Sequence, residues 1–276
     1  MTDLFLPLKI TVYITNYCQY SCDYCFFKEM NLLNTEQLSS DILDKMVYYF
    51  SKYQVPLIAI CGGDPLLHPN LIDFTKRLSD NGNYPIIATN AIDVSIDYLG
   101  ELKNSGVRYL QIGLDSLDSS KLNNFKEENH LEKVKKSINK IKKVGLEFGF
   151  SMCVSHKNFH ELIEVASYAK HVGANLLKVA KYKGNNKLYC LTQEEELQLI
   201  RFVELFNKES VFIRYSGTPE TIDFKTDYPP LTIFSNGDMV DERNGESIGS
   251  IMSDDPAKAY NNYLNKLQKR GQYEKI

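Results

Sequence analysis

Ile10-Thr11-Val12-Tyr13-Ile14-Thr15-Asn16-Tyr17-Cys18-Gln19-Tyr20-Ser21-Cys22-Asp23-Tyr24-Cys25 is the stretch on which the rest of the chain is read. Its first five residues are a β-rich run and predict the first strand. Its last eight form C-x3-C-x2-C. Three thiolates so close in sequence can grip three corners of an iron–sulfur cube, because soft thiolate ligands suit such clusters. No fourth cysteine stands nearby, so one iron is left for a ligand that is not protein. Zinc is the plainer reading, or a chance group of buried thiols, but zinc usually takes four ligands and no second pair follows.

Outward from that loop, strand and helix signals alternate. Asn34-Thr35-Glu36-Gln37 reads as an N-cap, with Leu38, Ile42, Met46 and Phe50 on one helical face behind it. Leu57-Ile58-Ala59-Ile60 is a short strand that ends at Gly62-Gly63. Helix, strand and helix follow at about 69–82, 84–89 and 93–105, then a strand at 107–114, a helix at 128–144 and a strand at 146–154. Asn158-x-x-Glu161 caps a further helix, strand six covers about 174–180, and Thr192-x-x-Glu195 opens a helix reaching about 209. Six strand–helix units predict a parallel sheet with helices outside. Six are too few for a closed eight-fold barrel, so the expected fold is α/β, an open partial (β/α)6 TIM-like barrel over residues 1–210. Function in such folds collects at the carboxyl ends of the strands, here Cys18, Cys22, Cys25, Gly62–Asp64, Asn90, Asp115 and the end of strand five.

From 211 to 276 the alternation stops and a small α+β extension is expected. Thr232–Val240 reads as a hairpin around Asn236-Gly237, and a polar helix begins near Asp254. The 276 residues carry 32 Lys+Arg and 35 Asp+Glu, and a net charge of −3 argues against a general nucleic-acid or anionic-membrane surface. No run approaches a membrane helix, and the start has no signal-peptide pattern, so the expected location is cytoplasmic. In that setting the six cysteines point to metal or redox chemistry before disulfides.

With the later motifs in order behind the cysteine loop, the sequence resembles the radical SAM superfamily over about 200 residues. Tyr24 sits where that family has an aromatic. Gly62-Gly63-Asp64-Pro65 resembles its Gly-Gly-Glu-Pro stretch, followed by Leu66-Leu67-His68-Pro69. Thr89-Asn90 and Gly113-Leu114-Asp115-Ser116 match the ends of strands three and four. The resemblance implies a [4Fe–4S] cluster on Cys18, Cys22 and Cys25, with S-adenosylmethionine (SAM) chelating the unique iron. Gly62, Gly63 and Asp64 would meet the methionine ammonium, where a carboxylate makes a charge-assisted bond. Tyr24 would contact the adenine through its backbone, and Asn90 and Asp115 the ribose or methionine. The implied chemistry is reductive cleavage of SAM and hydrogen-atom abstraction from substrate, with a flavodoxin or ferredoxin as reductant.

Several positions depart from the pattern. Asp64 is one methylene shorter than the usual Glu, and Gly113 stands where Ser is frequent. Leu122-Asn123-Asn124-Phe125-Lys126 lacks an Arg that several peptide-modifying relatives carry, leaving Lys126, a poorer bidentate partner. The end of the chain resembles a degenerate, cysteine-free SPASM-like extension. Asn236–Val240 matches its hairpin and Ile248–Ile251 a later motif, but Asp241 stands near the expected cysteine. The first substrate expectation is therefore a peptide, as in modification of ribosomal peptides. Because strand one starts so early, this would need a separate peptide-recognition protein or direct docking in the barrel mouth. A small molecule (sugar, nucleoside or amino acid) is the alternative, and a non-catalytic iron–sulfur or zinc protein the alternative of another class.

Of the remaining cysteines, Cys61 reads as a small buried residue closing strand two and Cys190 as a loop residue. Cys153 alternates with Ser151 and Ser155 on one strand face, and if that face lines the barrel its thiol could return a hydrogen atom to substrate. A core cysteine is the blander reading. The five histidines have no metal-ligand spacing. The six lysines between Lys133 and Lys143 read as a solvated helix face, or more sharply as a docking patch for an acidic reductant.

Overall fold

The computed structural model describes residues 4–32, 34–118, 129–182, 184, 186–208, 212–216, 228–253 and 255–271. The Lys126 stretch and Asp254 lie outside them.

Seven strands run parallel in sequence order: β1 (Lys9–Thr15), β2 (Leu57–Gly62), β3 (Tyr84–Thr89), β4 (Tyr109–Gly113), β5 (Glu147–Val154), β6 (Leu177–Lys181) and β7 (Ile213–Ser216). Helices connect them: α1 (Phe26–Glu29) and α2 (Ser40–Lys52), then α3 (Leu71–Asp80), α4 (Ile96–Asn104), α5 (His130–Val144), α6 (Leu162–His171) and α7 (Gln193–Phe206). Strand β7 is absent from the sequence reading. It is four residues long and Ile213 is its one clear apolar signal, too short a run to register as alternation. The sheet is open: β8 (Leu231–Ile233) pairs parallel with β1 on its other edge, and β9 (Asp238–Asp241) and β10 (Ser247–Ser250) continue antiparallel. The expected Asn236-Gly237 hairpin is thus β8–β9. It extends the barrel sheet, and α8 (Pro256–Lys269) packs behind it.

Alternation along the strands separates two faces. Ile10, Val12, Ile14, Ile58, Ile60, Ile87, Leu110, Ile112, Phe150, Met152, Leu177 and Val179 are wholly buried against the helices. The intervening residues point the other way and include Thr11, Tyr13, Cys61, Ala88, Gln111, Ser151, Cys153, Lys178 and Ala180, all only partly buried. A closed barrel fills its interior with bulky branched residues. Here Thr11, Cys61, Ala88, Gln111, Ser151, Cys153, Lys178 and Ala180 are small or polar and partly exposed, so the sheet curls around a lumen they leave unfilled.

Local signals place most helix starts. The Ser39 hydroxyl accepts from the Ile42 N–H at 3.4 Å, and the Ser95 hydroxyl from the Tyr98 N–H at 3.1 Å. Thr192 and Glu195 form the expected capping box. Two cap expectations are corrected. Asn34 does not open α2: its Oδ1 accepts the Glu36 N–H at 2.8 Å in a turn, and the Leu38 N–H bonds the Ile14 carbonyl at 2.9 Å, so Leu38 is buried without being helical. Asn158 caps no helix with its side chain, because that side chain is used at the site described below. Among the described residues no helix is long and apolar enough to cross a membrane.

Candidate active site at the carboxyl ends of the strands

The cysteine loop leaves β1 at Thr15 and is bound to the end of β2 by backbone contacts. The Gly63 N–H donates to the Thr15 carbonyl at 2.7 Å and the Asp64 N–H to the Tyr17 carbonyl at 2.9 Å. These glycines are dictated by space. A Cβ on Gly62 would lie 2.3 Å from the Thr15 oxygen, and one on Gly63 2.1 Å from the Tyr17 oxygen. Gly62 also has a φ of +147°, open to few other residues.

Asp64 completes this anchor. Its carboxylate accepts from the Thr89 hydroxyl at 2.7 Å, the Gln19 amide at 3.0 Å, the Leu66 N–H at 3.2 Å and the Asn90 N–H at 3.3 Å. The side chain is 1% exposed, and this burial raises its pKa, while the four donors pull it back down. Asp64 therefore joins three elements at one point: the cysteine loop through Gln19, the end of β3 through Thr89 and Asn90, and its own turn. Gln19 was not legible in the sequence, since the spacer of C-x3-C has no local signature.

Within the loop, the Cys25 N–H bonds the Cys22 carbonyl at 3.1 Å, and Cys25 then sits at the N-cap of α1. Cys18 Sγ accepts from the Tyr20 N–H at 3.4 Å and the Asn90 amide at 3.7 Å, and donates to Gln19 Oε1 at 3.8 Å. The Tyr20 ring is buried, and its hydroxyl lies 3.1 Å from His130 Nδ1, which ties the loop to α5.

Across the mouth stand the ends of β4 and β5. The Tyr24 hydroxyl donates to Asp115 Oδ2, and the Cys153 N–H donates to Asp115 Oδ1 at 2.8 Å. Burial and the neighbouring Asp115 carboxylate raise the Tyr24 pKa well above its usual range. Asn158 clamps the two strand ends, donating to the Asp115 carbonyl at 2.8 Å and the Cys153 carbonyl at 3.0 Å. Its Oδ1 accepts from the Ser155 N–H at 2.8 Å. Its sequence pattern resembled a cap, so this positioning role was missed.

Two groups therefore form around the mouth: Cys18, Gly62, Gly63, Asp64 and Asn90 on one side, Tyr24, Asp115 and Cys153 on the other. Tyr24 joins them, being part of the cysteine loop itself. Cys153 is half-buried beside Tyr182 and Tyr189, which also pack against Tyr24 and Cys190. Cys190 is thus part of this aromatic cluster, more than a loop residue. Cys61 is outside the helix-packed core: it faces the lumen beside Tyr13, and burial pushes its thiol up to about 11.

The donor set fits an iron–sulfur cluster. Three thiolates from one loop can each take a different iron of a cube, whereas a structural zinc site wants four ligands. Cys18, Cys22 and Cys25 all remain partly accessible at the mouth.

Fold and site together define a radical SAM protein: residues 12–169 match the Radical SAM superfamily, and the chain belongs to it. The superfamily's cofactors are a [4Fe–4S] cluster and SAM, and its members are enzymes. A GTP 3′,8-cyclase of Mesorhizobium japonicum is 29% identical over 175 residues, 60% of this chain and 52% of that one. The chain thus spans about half the length of the relatives of that name. A protein of Methanocaldococcus jannaschii, provisionally named a glycyl-radical enzyme activating enzyme, is 30% identical over 233 residues, covering 82% of this chain and 85% of that protein. Among solved structures, SuiB of Streptococcus suis with S-adenosylmethionine has a TM-score of 0.73 at 17% identity, covering 93% of this chain and 64% of SuiB. That likeness shows the shared open-barrel fold.

Proposed function

We propose that this protein cleaves SAM reductively and uses the resulting 5′-deoxyadenosyl radical to take a hydrogen atom from a substrate held in the barrel lumen. The observation that carries this reading is the anchoring of the cysteine loop by Gly62, Gly63 and Asp64 at the carboxyl end of the sheet, directly above an open lumen. When bound, the cluster and SAM supply the electron and the radical; the chain supplies position and exclusion of water.

In this reading Cys18, Cys22 and Cys25 hold the cluster. The backbone at Gly62 and Gly63 meets the methionine ammonium, with Asp64 supporting that turn and lending it negative charge. Tyr24, Asn90 and Asp115 border the adenosine. Asn158 is a positioning residue, keeping Asp115 and Cys153 at the mouth. Cys153 is the candidate donor that returns a hydrogen atom to the substrate radical, its thiyl radical then regaining the thiol with an electron from the same reductant and a proton from solvent. The electron comes from a flavodoxin or ferredoxin.

A small-molecule substrate is favoured, since many inward positions are small or polar and relatives named GTP 3′,8-cyclase match 60% and 67% of this chain. The peptide reading retains one support: SuiB, whose fold this chain shares, has been solved with its precursor peptide. One labelling experiment separates them. The reduced, reconstituted protein is given SAM and a low-mass extract of cells grown on deuterated medium, and the 5′-deoxyadenosine is analysed by mass spectrometry. Deuterium transfer from that extract is expected; transfer only from the peptide fraction would move the reading to peptides. In D2O, the product of an unlabelled extract is expected to carry solvent deuterium that Cys153→Ala loses; an unchanged label would end the donor role.

A further inference from the structure

The amino-terminal end of the lumen carries a positive charge that the site at the mouth does not use. Lys9 opens β1, Lys178 is second in β6 and Arg214 second in β7. Each alternates with buried, helix-facing neighbours, namely Ile10, Leu177 with Val179, and Ile213, so all three share the inward face. Lys178 and Arg214 are direct register partners. Lys9 is remote from them in strand order, yet the curl of the sheet brings it within their field. Burial and the positive charge of Lys178 and Arg214 lower the Lys9 pKa, with Glu242 acting in the opposite sense.

Like charges side by side on one sheet face repel. Among the described residues, Glu242 is the carboxylate whose field reaches Lys9, and none of the three cations forms an ion pair. Lys178 and Arg214 side by side, with Lys9 in their field, make a local positive potential that favours a multiply charged anion over a single carboxylate. Arg214 adds a planar fork suited to phosphate oxygens. Further up, Gln111 faces the same lumen between its register partners Ala88 and Gly149. Its Oε1 accepts from the Tyr109 hydroxyl at 3.1 Å, while its Nε2 is buried with no hydrogen-bond partner.

We propose that Lys9, Lys178 and Arg214 form an anion-binding floor that takes the phosphoryl end of a phosphorylated small-molecule substrate. This rests on the reading above, in which the substrate occupies the lumen beneath SAM. The seven residues of β1 rise about 20 Å at ~3.3 Å each, so such a ligand is extended, with its anion at the floor and its reacting carbon toward the mouth.

The test needs neither SAM nor a reductant, so its outcome is independent of whether SAM is cleaved. Inorganic pyrophosphate is titrated calorimetrically into the reconstituted protein at low ionic strength. Saturable binding is expected, at least tenfold weaker in Lys178→Gln/Arg214→Gln, preserved in Lys178→Arg, and weakened by added salt. Lys9→Gln, at the exposed edge, is expected to weaken it severalfold without a packing change. Absence of binding by the natural chain, equal binding by the double variant, or citrate binding as tightly as pyrophosphate would overturn the proposal.

Discussion

Gly63→Ala is expected to unseat the cysteine loop and strip the protein of iron. The added methyl would meet the Tyr17 oxygen at 2.1 Å and the Asn16 oxygen at 2.8 Å, both backbone atoms that cannot swing aside. Relief requires the loop to move off β2, breaking the Gly63–Thr15 and Asp64–Tyr17 hydrogen bonds that place Cys18. Overpacking of this kind costs about 1–3 kcal/mol, and the loss of two buried hydrogen bonds adds roughly 1 kcal/mol each. Iron bound after anaerobic reconstitution is expected to fall below about a tenth of the natural chain's, since a cluster held by three thiolates needs all three in place. The control is Gly100→Ala in α4, where a Cβ meets nothing within 4 Å. It should leave iron unchanged and add about 0.5–1 kcal/mol of stability, as expected for alanine over glycine within a helix. A Gly63→Ala protein with full iron and undiminished stability would show that the glycine pair does not position the loop.

Asp241→Ala is expected to have the second large effect, on stability. Asp241 is 0% exposed, accepts from Arg243 Nε at 2.9 and 3.1 Å, and accepts the Tyr263 hydroxyl at 2.9 Å. It therefore ties β9 to the turn that follows and to α8. Its removal takes the acceptor from the buried Tyr263 hydroxyl and the partly buried Arg243 guanidinium, at a cost of about 1–3 kcal/mol for each donor. Replacing both residues, in Asp241→Leu/Arg243→Leu, should cost less, because the guanidinium leaves together with the carboxylate it donates to. Urea unfolding measures both variants. A change below about 1 kcal/mol in the single variant would contradict a stabilising role for this ion pair.

The barrel was legible in the sequence wherever a β-rich or apolar run ended at a turn signal, as in strands β1 to β6. The start of α7 was legible in the Thr192 capping box. Strand β7 escaped because it is short and carries the charged Arg214 between Ile213 and Tyr215, which breaks any apolar run. The cysteines and Gly62–Asp64 were legible because their chemistry or backbone freedom is written in their residue types. What Asp64 holds was not. Gln19, Thr89 and Asn90 meet it only after strands far apart in sequence have paired, and no local pattern records that meeting. Asn158 shows the reverse case, a familiar capping pattern whose side chain is diverted to Asp115 and Cys153 by the tertiary fold. Lys9, Lys178 and Arg214 are ordinary surface residues until the curl of the sheet brings them together.

The central claim is that Cys18, Cys22 and Cys25 hold a cluster that cleaves SAM. The measurement that tests it most directly is 5′-deoxyadenosine formed per chain after anaerobic reconstitution, with dithionite and SAM, alongside iron and zinc content. About four irons per chain and formation of 5′-deoxyadenosine are predicted, with both lost in Cys22→Ala. Zinc in place of iron with no 5′-deoxyadenosine, or a Cys22→Ala protein that keeps its iron and its activity, would contradict the account.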